Sequence, residues 1–405
     1  MKKDFKLVLL GTDKNAYGMS KSLHEAYGEK ALALGKMALR ATKHSRIVEV
    51  RTDENFDQQA VFLKTMVAVG EELSSKYKKL LLIACGDNYI ELIIKNKKAL
   101  QKYFVVPYID EDLHKQLEDK DSFYEMCEKY NLDYPTTYVC TYETRDKIEF
   151  SFSFPVAVKP ADSIRYLSAK FEGRKKAYMA SSREELEEIV RRIYGSSYRG
   201  NIIIQDFIPG DDSASWVLNT YSDASGKVKM MCLGDVILEH YHPAEIGNYA
   251  AMISTSNQEM YQQFKEFLEK INYVGYAHFD FKFDYRDNKY KLFEMNLRQG
   301  RGSYYITGAG YNLVRFLVDE YVYGKDLDIV YTDNEWLWLD IPKDVLVKYA
   351  NKAYLEKIKE LIRKKKYGYT LYYLNDFSFL RYFITYRVYM ISRKMFACYF
   401  NKRGL

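Results

Sequence analysis

The chain has 405 residues, 47% of them hydrophobic and 16% aromatic, with only 7 prolines and 21 glycines. That is more than one compact core holds, so two or three subdomains are expected, and disorder, collagen-like repeats and low complexity are excluded. The net charge of +6 is uneven: from Ile341 onward 15 lysines and arginines face 4 acids, or +11, whereas the first 340 residues carry 46 against 51, or −5.

Phe5–Gly11 reads as a strand, followed by a helix to about Ala26 carrying Met19 and Leu23. Ile47–Val50 is a second strand, Phe62–Leu73 a helix, Leu80–Cys85 a third strand and Asn88–Leu100 a helix. Strands alternating with helices predict a parallel α/β sheet ending near residue 115. Asp121–Tyr130 is helical, Pro155–Lys159 a buried strand and Lys175–Ala180 its antiparallel return. Ser181–Ile193 is a helix that Ser181 or Ser182 can cap, and Asn201–Ile208 is a strand, which together describe a small α+β lobe. Strands recur to Leu297, residues 311–324 are helical, and the remainder reads as basic helices dense in aromatics.

The longest apolar runs, such as Leu7–Leu10 and Leu80–Cys85, are far shorter than the ~20 residues a membrane span needs. Lys6 interrupts the only signal-like stretch and no cleavage-like site follows, so a cytoplasmic protein is expected. Five widely spaced cysteines without a CxxC pair argue for reduced thiols rather than disulfides or structural zinc. The 39 tyrosines point to many half-buried amphipathic positions.

The chemistry concentrates in Ala277–Arg298. Alternation puts His278, Asp280, Lys282 and Asp284 on one strand face; after a turn at Arg286-Asp287-Asn288-Lys289, Glu294, Asn296 and Arg298 share a face. A hairpin centred on Asp287 sets Asp280 opposite Glu294, and facing Cβ atoms are about 4.5–5.5 Å apart. Two carboxylates that close need a cation between them. Mg²⁺ takes oxygen ligands, so Asp280, Glu294 and the Asn296 amide form a candidate metal set, with Arg298 placed to neutralise a phosphoryl oxygen. A solvated, salt-bridged sheet face would alternate in the same way.

Two further motifs are weaker alone. In Phe154-Pro-Val-Ala-Val-Lys159-Pro160, a strand-end lysine can bind phosphate as a point charge. In Gln205-Asp-Phe207-Ile208-Pro-Gly-Asp-Asp212, the backbone of Phe207 and Ile208 is expected to be free for an adenine edge and Asp212 for ribose hydroxyls. A strand followed by a Pro-Gly turn reads the same. Gly11–Gly18 is neither a P-loop nor GxGxxG; it reads as a strand-to-helix turn able to hold a carboxylate at the helix N-terminus. His240 and His242 share a strand face without a third ligand, so His242 is read as a substrate or phosphate contact rather than a zinc ligand.

In this order the motifs resemble the ATP-grasp superfamily of carboxylate–amine ligases, over about residues 1–330. Within it, Gly11-Thr12, Tyr17-Gly18-Met19 and Glu294-Met-Asn-Leu-Arg-Gln-Gly-Arg-Gly-Ser-Tyr-Tyr305 look most like the D-aspartate ligases. The resemblance implies an ATP-grasp fold combining α/β and α+β parts: a parallel α/β domain over 1–115, a small lobe and lid over 116–205, a large lobe with the metal site over 206–340, and a basic, aromatic, helical appendage over 341–405. It implies ATP and Mg²⁺, with Lys120 and Lys159 on the phosphates, Gln205 to Ile208 on adenine, Asp212 on ribose, Asp280, Glu294 and Asn296 on the metal, and Arg298 on the acyl phosphate. It implies D-aspartate as the amino acid and a lysine side chain of a cell-wall precursor as the amine; Arg301, Gly302, Ser303 and Tyr304, which directly follow the metal-binding strand, are expected beside the activated carboxylate. No glycine-rich loop follows Pro160; Ser163, Arg165 and Ser168 stand where relatives cover the phosphates. The rival reading is a non-catalytic protein on the same scaffold that binds polyanions or membranes. The basic tail is expected to touch a membrane surface or an anionic precursor, and no nucleic acid is expected.

Overall fold

The structure, a computed structural model, describes residues 2–402 apart from 119, 162, 176, 243, 244 and 246; of 120, 121, 163, 164, 167 and 402 it describes the backbone alone. The chain forms two compact units: Met1–His114, Asp212–Asp280 and Glu294–Arg403 in the first, Lys115–Asp211 and Phe281–Phe293 in the second.

The first unit opens with a parallel sheet of β1 (Lys3–Leu10), β2 (Ala31–Gly35), β3 (Val48–Thr52) and β4 (Tyr77–Ala84), in the order β3-β2-β1-β4. Leu7 to Leu10 and Leu80 to Ala84 are wholly or almost wholly buried, as central strands covered on both faces must be. Asp13 caps the helix Lys14–Tyr27 by accepting from the amides of Asn15 and Ala16, and Gly28 ends it in the left-handed region at φ 66°. The carboxylate expected at this helix N-terminus is therefore the chain's own. Sequence periodicity missed β2, because alanine-rich Ala31-Leu-Ala-Leu-Gly35 carries little β propensity. The single helix expected over Asn88–Leu100 is two, Asp87–Lys95 and Lys97–Leu100, parted at Asn96, whose side-chain amide turns back onto the Leu92 carbonyl at 2.8 Å.

The second unit is built on an antiparallel sheet of β5 (Thr137–Cys140), β6 (Val156–Pro160), β7 (Tyr178–Ala180) and β8 (Ile202–Asp206), in the order β5-β8-β6-β7. The helix Arg183–Gly195, capped by Ser182, buries Leu186, Ile189 and Ile193 against Val156, Val158, Ile202 and Ile204.

The remaining strands are β9 (Ser215–Ser222), β10 (Val228–Glu239), β11 (Tyr249–Thr255), β12 (Gly275–Asp284), β13 (Lys289–Asn296), β14 (Val330–Tyr331), β15 (Leu337–Leu339) and β16 (Tyr367–Tyr369). They run in the order β13-β12-β9-β10-β11-β15-β16, with β14 on β10. β12 and β13 form the expected hairpin, turned at Asn288 with φ 58°.

The C-terminal region is helical over Lys343–Tyr349, Leu355–Arg363 and Phe379–Tyr399, yet it is more than an appendage. Its segment β16 extends the sheet parallel to β15, pairing Leu337 with Tyr367. Asp376 is buried and accepts bonds from the Tyr17 hydroxyl (2.8 Å), the Ser45 hydroxyl (2.9 Å), the Arg46 amide (2.5 Å) and Arg381 Nε (3.0 Å). The tail's basic excess hid these pairings, since net charge says nothing about which side chains are buried. Among the described residues no helix is long and apolar enough to cross a membrane.

Candidate active site

Asp280 on β12 and Asn296 on β13 lie on the same side of the hairpin: Asn296 Nδ2 donates to Asp280 Oδ2 at 3.0 Å. The other carboxylate oxygen accepts from the Tyr249 hydroxyl and lies 3.0 Å from His278 Nε2. Burial alone would raise the Asp280 carboxyl; the His278 ring and its bond, with the Tyr249 hydroxyl, outweigh that and hold it below its ordinary value. Asp280 is thus a pre-formed anion.

His278 is itself fixed. Its Nδ1 lies 3.1 Å from Asn219 Oδ1, an oxygen that also accepts the Gly300 amide at 3.0 Å. The ring thus bridges Asn219 and Asp280. Gly300 makes room for it: a Cβ there would stand 2.5 Å from His278 Nδ1. Gly302 likewise admits Met252 and Trp338, so the close approach these glycines allow is by the protein's own side chains.

Glu294 is exposed. It and Asp280 both act on the Tyr249 hydroxyl, whose pKa burial first, then these carboxylates, drive well above its ordinary value. Arg298 forks onto Asp87 (Nε to Oδ1 2.7 Å, Nη2 to Oδ2 3.0 Å) and reaches Asn296 Oδ1 at 3.3 Å. Its guanidinium is only 16% exposed, so a compact cationic group stands beside the acidic set. Asp280, Glu294 and the Asn296 amide oxygen are hard donors, and that chemistry suits Mg²⁺. Among the described residues no group of three or more His, Cys, Asp or Glu side chains is placed to hold a metal ion, here or elsewhere.

Other expected residues lie as follows. Lys159 closes β6, with Nζ 5.8 Å over the Phe293 ring. Gln205 is buried; Nε2 donates to the Tyr124 and Thr137 hydroxyls (2.8 and 2.9 Å), while Oε1 has no hydrogen-bond partner. The expectation that the Phe207 and Ile208 backbone is free needs correction. The Phe207 amide donates to the Pro155 carbonyl at 3.3 Å and the Ile208 carbonyl accepts from Lys282 at 2.8 Å, because the β6 pairing runs one residue further and a lysine reaches over from β12. Asp212 is also taken up by the protein: it is buried, and Oδ2 accepts from the Glu239 amide (2.9 Å) and the Tyr241 hydroxyl (3.0 Å). Tyr304 gives its hydroxyl to Glu25 at 2.9 Å and its ring face to Lys21, so its side chain serves helix packing. Ser303 is buried, whereas Arg301 is exposed and lines, with His242, a cavity of about 400 Å³. The side chains of Lys120 and Ser163 lie outside the described residues; Arg165 is exposed and Ser168 bonds back to the Arg165 carbonyl at 2.6 Å.

No family model matches the chain. Over 392 residues it is 46% identical to the D-aspartate ligase of Enterococcus faecium (strain Aus0004), covering 94% of this chain and 93% of that protein. The chain belongs to the D-aspartate ligase family. Solved structures agree on the fold: an L-amino acid ligase from Bacillus licheniformis superposes with a TM-score of 0.57 at 16% identity, over 81% of this chain and 76% of that one. An N5-carboxyaminoimidazole synthetase from Staphylococcus aureus superposes at 0.59 with 12% identity, over 89% and 87%. The fold is that of the ATP-grasp ligases, and the protein is an ATP-dependent carboxylate–amine ligase.

Sequence reasoning missed Tyr249, Asn219 and Asp87 in this ligase. Each reaches the site from a distant segment, and none carries a spacing signal that marks it. His278 was visible on the polar face of β12, but its role as a bridge between Asn219 and Asp280 was not.

Proposed function

We propose that the ligase activates the β-carboxyl of D-aspartate and joins it to a lysine side-chain amine of a cell-wall peptide precursor in the cytoplasm, where ATP is available. The observation that carries this reading is the 46% identity, over nearly the whole of both chains, to a D-aspartate ligase. The donor carboxylate oxygen attacks the γ-phosphorus and ADP leaves, giving an acyl phosphate. The amine nitrogen, having lost one proton, bonds to the acyl carbon; the bond to phosphate oxygen breaks, phosphate leaves with the electron pair, and a second proton goes to solvent as the amide forms.

In this reading Lys159 binds the phosphates of ATP as a point charge. Adenine meets Gln205, whose orphan Oε1 would gain a donor, together with the Phe207 carbonyl and the Ile208 amide. Asp280, Glu294 and Asn296 would hold Mg²⁺, which neutralises phosphate charge when bound. Arg298 stabilises charge that grows on the transferring phosphoryl group, and Arg301 grips the α-carboxylate. Positioning and charge neutralisation do the chemistry, with no covalent enzyme nucleophile.

A peripheral contact with an anionic membrane face completes the reading. Phe379, Tyr382, Phe383, Tyr386 and Met390 share one exposed side of the last helix, beside exposed Arg387 and Lys394. Aromatics suit an interface, and each basic side chain near an anionic surface is worth about 1 kcal/mol. Salt-sensitive co-sedimentation with anionic but not neutral vesicles is expected; equal, negligible binding to both removes this part.

ADP release measured across D- and L-amino acids, each with a set of primary amines, tests the whole. D-aspartate with a lysine-type amine should support the fastest turnover; another amino acid outrunning it would overturn the substrate assignment. Lys159→Ala should raise the KM for ATP, while Arg298→Ala should chiefly lower kcat.

A further inference from the structure

The cavity that Arg301 and His242 line extends well past them. At its polar end Lys14 Nζ lies 2.6 Å and His240 Nε2 3.0 Å from the same oxygen of buried Asp340. Asp13, half-buried, lines the same cavity, and its carboxyl is under the influence of both Arg301 and Arg298, the two cations assigned to the donor side. The last helix also lines the cavity. Ile384, Val388, Ile391 and Met395 recur there at helical spacing and form one apolar stripe along the cavity. Ser392 stands in the same wall, its buried hydroxyl without a hydrogen-bond partner.

These two ends suit different parts of one molecule. An amino-acid carboxylate and its phosphate need cations, which Arg298 and Arg301 offer. An alkyl amine needs carboxylates for its ammonium and an apolar surface for its methylenes, as snorkelling lysines do. Lys14 already displays half of this: its own ammonium sits on Asp340 inside the cavity. At about 400 Å³ the space falls in the usual range for small-molecule sites, about 300–1,000 Å³. A four-carbon amino acid held at the Arg301 end would leave much of it empty.

We propose that this cavity is the acceptor site, taking a primary amine on an aliphatic stem, with the amine at the Asp13–Asp340 end and the stem along the Ile384–Val388–Ile391–Met395 stripe. The assignment rests on the ligase reading above. It gives the last helix, whose other side carries the exposed aromatics, a direct part in recognising the second substrate.

The test uses the full chain with ATP and D-aspartate. Two nucleophiles are compared: Nα-acetyl-lysine, and hydroxylamine, which traps the acyl phosphate as a hydroxamate and is too small to need the stripe. Val388→Trp, which fills the cavity, should raise the KM for Nα-acetyl-lysine at least tenfold and leave hydroxamate formation within twofold of wild type. If Val388→Trp fails to fold, Ile391→Trp is read instead, at a cavity-lining position that is 42% exposed and tolerant of size. An unchanged KM in a folded variant overturns the proposal, as does a parallel fall in hydroxamate formation, which would give the cavity to the donor. Wild-type enzyme that makes hydroxamate but no amide with Nα-acetyl-lysine also overturns it. Wild-type enzyme that makes neither sinks the ligase reading itself.

Discussion

Two charged clusters in the first unit bury acid beside arginine, and they are built differently. Around Asp376 every partner is supplied by the protein: Tyr17, Ser45, the Arg46 amide and Arg381 satisfy the carboxylate, and Arg381 in turn donates to the Ala41 carbonyl at 3.0 Å and stacks on Tyr17. Around Asp280 the carboxylate is held as fully, by Asn296, Tyr249 and His278, but its charged neighbours reach solvent. Glu294 stays exposed, and Arg298 is paired with an Asp87 that is itself 65% exposed. A closed network stabilises a fold, because nothing in it can bind anything else. In the proposed reading, exposed neighbours leave charge available for a cation and a phosphate. Burial, an arginine partner and a full set of hydrogen bonds do not separate the two clusters; the exposure of the neighbouring charged groups does.

The largest effect should come from the closed cluster. Asp376→Ala leaves Arg381 buried without its carboxylate, and losing one partner of a buried pair costs about 3–5 kcal/mol. Denaturant melts should show that loss; a variant as stable as wild type would mean the network is no clasp. Asp280→Asn or Glu294→Gln should do the reverse, cutting ADP formation by about 10²-fold or more while the melting temperature stays within a few degrees. Normal turnover in either would place the metal set elsewhere.

A smaller effect sharpens the same contrast through pH. Burial would raise the Asp340 carboxyl, but Lys14 and His240 outweigh it and depress it to about 2 from an ordinary 3.8. A group depressed on folding contributes stability that is fully present above its unfolded pKa and is lost as pH falls through the folded one. About 2 kcal/mol should therefore disappear between roughly pH 4 and pH 2. Denaturation curves across that window should flatten in Asp340→Asn; an identical slope in the variant would assign the acid lability elsewhere. The smallest effect is local to the second unit. Ser182→Ala removes the hydroxyl that accepts the Glu185 amide and should cost about 1 kcal/mol without touching turnover in the presence of saturating ATP. A change in kcat would tie that helix to the chemistry.

How much was legible follows the range of each interaction. The parallel N-terminal strands were readable from β1 and β4, whose apolar runs are continuous because both faces are covered, while β2 escaped for want of β-branched residues. That Asp280 and Asn296 share a face was readable because period-2 alternation and a short turn fix which side chains lie together, while their direct contact was not. The Ser182 cap was readable because it spans three residues. Tyr249, Asn219 and Asp87 were not readable, since a sheet neighbour or a helix start brings each to the site from tens to hundreds of residues away.

The tail marks the boundary most clearly. Its basic, aromatic composition determined that it would be helical and cationic, and nothing more. Only the tertiary structure decided that Tyr367–Tyr369 would extend the sheet, that Asp376 and Arg381 would close on Tyr17, and that one stripe of the last helix would wall a cavity. Local periodicity and capping are set by neighbours along the chain, whereas pairing, burial and cavities arise from contacts whose partners the chain brings together only on folding.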